Sequence, residues 1–438
     1  MSTQLKAGAA KCDITPAVGA YLCGFIARLE PSNAVAEPLH VRTLVLSSGT
    51  KNVALVQADV VAFAPWQVAE TREFAYTRLG IPRDAVMLSA THTHSGPGLI
   101  PVRGCRMAPY AYQREVIEKI QVALGQARES LRPATLEIGS VPYLLGINRR
   151  QETSNGVVLG FAPEKARPQN LKMARVRTKK QEILLLSYAC HPYILGGDSL
   201  WISGDFPSLA CLDLEHEFDR LVFFLNGCAG NIAPRSAFQG IEKARDEGLQ
   251  LSKIVQAGAK RLRRTQGTLL AARSRLVHLP YQPLPTDDEI DALAAQEERV
   301  VRPEEKGSME IRRRIDAALE QWRTEMKQVV QMTRPLDPVL CEIQALRIGP
   351  LVLLGISGEP FFEIGEALRQ SKKSSSLWPL GNTNAYCGYI PTRAEYPNGG
   401  YGVNDSWKYA GMWKIDETCE ERVTKAGIEV LAEVLAGR

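Results

Sequence analysis

Short apolar runs alternate with amphipathic stretches along most of this chain. The runs "VRTLVLSS" (41–48), "NVALVQADV" (52–60), "AVMLSATH" (85–92), "EILLLSYACH" (182–191), "LVFFLNG" (221–227), "VLCEIQALRIG" (339–349) and "PLVLLGISGE" (350–359) are rich in Val, Leu and Ile. Gly, Asp or Pro bounds most of them, as expected of buried strands. Between them, Val116, Ile117, Ile120, Leu124, Ala127 and Leu131 follow helical spacing, and so do Val423, Ala426, Val430, Leu431 and Val434. Strands alternating with helices predict an α/β fold, with a mixed β-sheet core flanked by helices. Residues 284–335 break the pattern. "TDDE" at 286–289 has the spacing of a capping box, and Ile311, Ile315, Leu319, Trp322, Met326 and Val330 recur at helical steps amid dense charge. A helical hairpin inserted between strands is predicted there, either a solvated cover or a lid or dimer element. One domain, 1–438, is expected to carry it.

Composition excludes several classes of function. A hydrophobic content of 45% and a charged content of 23% are ordinary for a globular protein. A net charge of +5 over 438 residues demands neither nucleic acid nor an anionic membrane as partner. "RLRR" (261–264) and "RRR" (312–314) lie in charge-mixed helical surroundings with no nucleic-acid motif beside them. No run reaches the roughly 18 apolar residues of a membrane span, and "MSTQLKAGAAKCDITP" has no apolar core of signal-peptide length. Neither nucleic-acid binding nor a stable membrane anchor is therefore expected. The nine cysteines are scattered, odd in number and form no C-x-x-C, which reads as reduced, buried thiols in a reducing compartment. The expectation is a cytoplasmic protein with a small-molecule substrate, and a homo-oligomer is compatible with it.

Candidate chemistry gathers at strand ends. Of only six histidines, two stand in "SATHTHSGPG" (89–98). If the strand 85–92 continues to residue 94, His92 and His94 share a face at its carboxyl end, where ligands collect in open α/β sheets. "EILLLSYAC" ends in His191, "LVLLGISG" in Glu359 and "VALVQA" in Asp59. Two imidazoles and a carboxylate with one position open are a common catalytic zinc set, and other first-row metals accept the same donors. Asp59 is a candidate to orient a ligand histidine, with a turn cap as its alternative. Cys228, in "NGCAGN", is a rival nucleophile. His40, His216 and His278 are read as structural. Arg103 and Arg106, in the loop after the histidine pair, hint at an anionic or polar substrate.

"ATHTHSGPG" (90–98) resembles the signature of the neutral/alkaline ceramidase family, in its zinc-binding N-terminal domain. "INRR" (147–150), "CHPYI" (190–194), "ISGDFPS" (202–208), "NGCAGNIAP" (226–234), "GISGEPF" (355–361) and "YCGYIPTRAEYPNGGYG" (386–402) follow in the family's order. The resemblance implies Zn2+ held by His92, His191, Glu359 and Tyr389. It places His94 beside the metal without being a main ligand, Tyr401 near the scissile bond, and Arg149 in the substrate pocket; an imidazole so placed is expected to act as general base and then acid. The chain also departs from the family. Ala233 stands where the family has a serine before proline, and a methyl group is neither nucleophile nor donor. The family's C-terminal β-sandwich and its secretion signal are not expected here. These departures point away from ceramide. The implied activity is zinc-dependent cleavage of a C–N amide bond in a small polar or acylated substrate by metal-activated water. Lactone or ester hydrolysis at the same site, and a non-catalytic metal- or small-molecule-binding homologue, are the alternatives. An H-x-H pair also marks amidohydrolases built on a TIM barrel, but there it sits on the first strand, whereas here at least two apparent strands precede it.

Overall fold

The computed structural model describes residues 4–154, 156–165, 169–218, 220–295, 307–332, 336–372 and 376–437. Its fold is α/β, as the alternation of patterns predicts. A nine-stranded mixed sheet runs in the order Arg220–Asn226, Glu182–Tyr188, Gln169–Thr178, Arg132–Tyr143, Lys6–Asp13, His40–Ser48, Lys51–Ala58, Val86–Ala90, with Arg263–Arg264 joined to Arg132–Tyr143. The two outermost pairs are parallel and the inner ones antiparallel. Leu184, Leu186, Val222 and Phe224 are completely buried, as are Val56 and Leu88 near the opposite edge. Such doubly covered strands read as continuous apolar runs. The helices Pro65–Leu79 and Tyr110–Glu129 cover one part of the sheet, and Asp205–Phe218 and Gly240–Ala259 another.

A second sheet, Leu270–Leu279, Val339–Ile348, Leu351–Ile356 and Leu377–Leu380, carries the helix Cys419–Leu435 on one side. Its last strand leads into a segment that joins both edges of the first sheet. Ala90 N–H donates to the Asn382 carbonyl, and Gly381 N–H to the Asn226 carbonyl. The Asn226 amide reaches the Thr91 carbonyl at 3.3 Å. The ends of strands remote in sequence thus meet around one point.

Residues 284–335 do contribute two helices, Asp287–Ala295 and Ser308–Gln331, while 296–306 and 333–335 lie outside the described residues. Thr286 and Glu289 form the expected capping box, with Thr286 N–H donating to Glu289 Oε2 at 2.7 Å and Glu289 N–H to Thr286 Oγ1 at 3.3 Å. Ile311, Ile315 and Leu319 pack against Ile26, Ala27, Leu29 and Tyr409. Trp322 stacks on Trp413 and meets Trp407 edge-on at 5.3 Å. The two helices therefore pack over the loop 23–29 and over 401–413, which holds the short helices Tyr401–Asn404 and Ser406–Ala410. No helix among the described residues is long and apolar enough to cross a membrane.

Glu37 is buried, its Oε1 accepting from Ser203 Oγ at 2.6 Å and Gly204 N–H at 2.7 Å, with no partner at Oε2 among the described residues. Burial pushes its pKa up to about 8. The folded chain then holds a proton that the unfolded chain releases in the ordinary carboxylate range. Stability is full below that range and falls as pH rises through about 8. E37Q keeps both accepted bonds and cannot ionise. Its unfolding free energy is expected to be flatter above roughly pH 5 and to exceed the parent's by a few kcal/mol near pH 9, at about 1.4 kcal/mol per pK unit. Urea unfolding across that range checks it; parallel pH profiles would refute the assignment.

Candidate metal centre

The strand expected over 85–92 ends at Ala90. His92 instead turns into the left-handed region, φ 70°, which is unfavourable for a side chain with a Cβ and marks a constrained position. The two histidines therefore do not meet by strand alternation. They meet because the backbone reverses between them, leaving their rings edge to face with centroids 5.0 Å apart. His191 follows the strand Glu182–Tyr188, and its ring lies 4.9 Å from His92 and 5.7 Å from His94. One nitrogen from each of the three rings lies within 4.8 Å of the others, so the group can hold a metal ion.

Hydrogen bonds to the backbone set the tautomers. His92 Nδ1–H donates to the Val61 carbonyl at 2.6 Å. His191 Nδ1–H donates to the carbonyls of Ala229, 2.8 Å, and Ile232, 3.1 Å. Both Nε2 atoms are left bare, and both face Glu359 Oε2, at 3.3 Å from His92 and 3.0 Å from His191. Burial pushes the His191 imidazole down to about 3, helped by the Arg149 charge. Burial also opposes ionisation of Glu359, but its histidine neighbours outweigh this and hold the carboxyl well below its usual range. Two imidazole nitrogens and a carboxylate oxygen thus converge, and a proton or a metal cation has to lie among them. Acceptors facing acceptors in a buried site are costly unless a cation lies between them, and imidazole nitrogens with a carboxylate are a transition-metal donor set.

Glu359 is held from its other side. Tyr386 donates its hydroxyl to Glu359 Oε1 at 2.9 Å. Glu359–Pro360 pairs with Tyr389–Ile390 as a short parallel ladder, which brings Tyr389 alongside. Arg149 donates to the Tyr389 oxygen at 2.8 Å, to the Gly230 carbonyl at 3.1 and 2.7 Å, and to Tyr193 at 3.4 Å. Burial raises the Tyr389 phenol well above its usual value, with the Arg149 charge opposing. Tyr401 opens the short helix Tyr401–Asn404 and meets Tyr389 edge-on at 5.9 Å; burial raises its hydroxyl as well.

His94 differs from its neighbours. Neither ring nitrogen has a hydrogen-bond partner among the described residues. Burial, together with His92 and His191, keeps it well below the usual imidazole value. The ring is positioned through its backbone and its faces: Arg28 donates to its carbonyl at 2.7 Å, and Phe25 lies edge-on at 5.2 Å. Phe25, Tyr193 and Phe238 form an aromatic wall from His94 outwards, with Phe238 stacked on Tyr193 at 5.3 Å and largely exposed. Ala233 packs into this wall against Tyr193, Ala237 and Phe25.

Several expected roles are corrected. Asp59 orients no ligand histidine; it accepts from His40 N–H, Gln57, Ser208 and the buried Arg42. Backbone carbonyls do the orienting instead. Cys228 is no activated nucleophile, because burial pushes its thiol up to about 12 and it packs in an apolar cluster. Arg103 is committed to Glu325 and the Lys408 carbonyl, and Arg106 stacks on the Tyr21 ring at 4.1 Å. Sequence reasoning singled out neither Tyr386, Tyr193, Phe25 nor Arg28. The first two stand inside quoted motifs, but nothing in their spacing marks them.

This architecture, with its donor set at the meeting point of strand ends, is that of an α/β protein with a group of histidines that could hold a metal ion. Among solved structures it is similar to the neutral ceramidase from Pseudomonas aeruginosa, with a TM-score of 0.71 and 18% identity over 99% of this chain and 75% of the other. A ceramidase complexed with C2 gives 0.72 and 18%, over 99% and 76%. The resemblance read from the motifs therefore holds for the fold. No protein-family model and no curated protein matches the chain.

Proposed function

We propose that this protein is a zinc-dependent hydrolase that cleaves the C–N amide bond of a small polar or acylated substrate. The observation that carries the proposal is the convergence of the bare His92 and His191 nitrogens on Glu359 Oε2, at 3.3 and 3.0 Å. His92, His191, Glu359 and Tyr389 would hold the ion, with Tyr386 fixing the carboxylate and Arg149 the phenol oxygen. A bound zinc ion supplies Lewis acidity, polarising an acyl oxygen and making water more acidic.

The chain's own groups complete the chemistry. His94 is neutral and neither ring nitrogen has a hydrogen-bond partner among the described residues, so its unprotonated nitrogen can accept a proton from water and return it to the departing nitrogen. Tyr401 stays protonated and can donate to the oxyanion that develops on the acyl carbon. The aromatic wall of Phe25, Tyr193 and Phe238 excludes water on one side and offers an apolar surface to the substrate. Ala233 removes any hydroxyl nucleophile at its position, which leaves water as the attacking group. Arg149 acts on the substrate through Tyr389, since its strongest donors already point at Tyr389 and Gly230.

The test is a panel of amides, lactones and esters assayed with and without a chelator. Amide turnover should disappear on chelation and return with zinc. H94A should keep the metal and lose about 10²–10⁴-fold in kcat, the usual contribution of a positioned acid–base group. Near-full turnover by H94A, or hydrolysis indifferent to chelation, would overturn the proposal. Preference for lactones over amides would move the bond cleaved and leave the site intact.

A further inference from the structure

We infer that the cleft between the large sheet and the helix Phe362–Ser371 is a binding site for a small organic carboxylate, separate from the candidate metal centre. Its volume is about 140 Å³, and none of His92, His94, His191, Glu359 and Tyr389 lines it. A water takes up roughly 30 Å³ of liquid, so the cleft has room for an acid of a few carbon atoms.

Strand register builds its floor. Ser140, Lys172 and Ser187 stand opposite one another on Arg132–Tyr143, Gln169–Thr178 and Glu182–Tyr188, and all three line the cleft. The next row on the same face of the sheet, two residues along, is Ala174, Leu185 and Phe223, all completely buried. A lysine between two serines therefore interrupts an apolar face. The helix Phe362–Ser371 closes the cleft from above and brings in Glu366 and Arg369. It comes close because residue 365 is glycine; a Cβ there would lie 2.8 Å from the Cys228 sulfur.

The charges in the cleft do not cancel. Arg369 holds both oxygens of Glu366, Nε donating to Oε1 at 3.0 Å and Nη2 to Oε2 at 2.5 Å. Lys172 has neither an ion pair nor a hydrogen bond among the described residues. Two cations against one carboxylate leave one positive charge. Burial pulls the Lys172 ammonium down to about 8, with Arg369 adding to the fall and Cys228 and Glu366 opposing it, so it stays mostly charged at neutral pH. Gln169 also lines the cleft, is only 9% exposed, and has no partner at Nε2 among the described residues. A cation and an amide donor without acceptors are costly in such a place. A carboxylate supplies what both lack, a negative charge and two acceptor oxygens. Phe362, Pro379 and Cys228 form an apolar side that a carbon skeleton covers and an inorganic ion leaves bare.

Acetate, succinate and benzoate are titrated into the full chain near neutral pH at constant ionic strength, with inorganic phosphate beside them, and heats are read by calorimetry. At least one carboxylate should bind saturably at about one site per chain, more tightly than phosphate. K172M should weaken it at least about 10-fold, the usual worth of a charge-assisted contact, and H191A should leave it unchanged. Affinity should hold up to about pH 8 and fall above it, as Lys172 loses its proton. No saturable binding, or full binding by K172M, would overturn the inference. So would binding lost in H191A, which would put the anion at the metal centre, or phosphate bound more tightly than every carboxylate. If K172M fails to fold, judged by circular dichroism, acetylation of the unaltered protein by an N-hydroxysuccinimide ester decides, mapped by mass spectrometry. The carboxylate should protect Lys172, and equal labelling with and without it would refute the site.

Discussion

Replacing His191 with alanine is expected to remove the metal. Elemental analysis of freshly purified protein should find about one zinc per chain in the parent, as befits a single converging donor set, and almost none in H191A. His191 is completely buried, and its Nδ1–H is doubly held by the Ala229 and Ile232 carbonyls, so its Nε2 is fixed beside Glu359. Loss of an outer partner alone weakens metal sites by about 10–100-fold, so loss of a direct ligand should weaken binding by at least about 100-fold. The Ala229 and Ile232 carbonyls would also lose the imidazole donor, each keeping a backbone one, from Ile232 N–H and His191 N–H. Some loss of stability should therefore appear even in metal-free protein, at roughly 0.5–1.5 kcal/mol for each hydrogen bond lost. Parent protein that carries no metal and takes up none on titration would end the metal reading, and the hydrolase proposal with it.

The second large effect is expected at a residue with no chemistry of its own. Gly24 has φ +108°, and a Cβ there would lie 2.6 Å from both Cβ and Cγ of His94. G24A therefore has to displace the His94 ring or strain its own backbone. His92, His191 and Glu359 are not touched. Metal content should stay at the parent level while kcat falls by about 10²-fold, the cost of a displacement near 1 Å in a catalytic group. Metal lost together with activity would make His94 a ligand rather than an acid–base group. Unchanged kcat would remove it from the chemistry. H191A and G24A together separate holding the ion from using it.

The candidate donor residues were easier to read from the sequence than the geometry that groups them. His92, His94, His191 and Glu359 were legible because each follows or ends an unbroken apolar run, and burial on both faces writes such strands plainly. Gly146–Thr153 was not legible. It reads "GINRRQET" and buries Asn148, Arg149 and Arg150, so no hydrophobic period betrays it. Lys6–Asp13 and Arg132–Tyr143 were hidden for a related reason, since both are partly exposed and mix polar with apolar positions. The turn at His92 was misread because what ends that strand is distant in sequence. Asn382 accepts from Ala90 N–H, and Thr383 bridges to Ser89, and no local pattern encodes a partner nearly 300 residues away. Tyr386 escaped for the same reason, because its role exists only once Glu359 has arrived beside it.

The segment joining both edges of the large sheet has a kinetic consequence. His92, His191 and Glu359 stand on three separate stretches of chain, and they converge only when residues 380–385 dock between strands that began folding far apart. Contacts of such long sequence separation close late, after the loop entropy of every intervening element has been overcome. A nascent chain therefore offers the ion no more than isolated imidazoles. On the proposed function, metal capture is expected to be the last event of maturation, with a half-time that follows the slowest refolding phase rather than the zinc concentration.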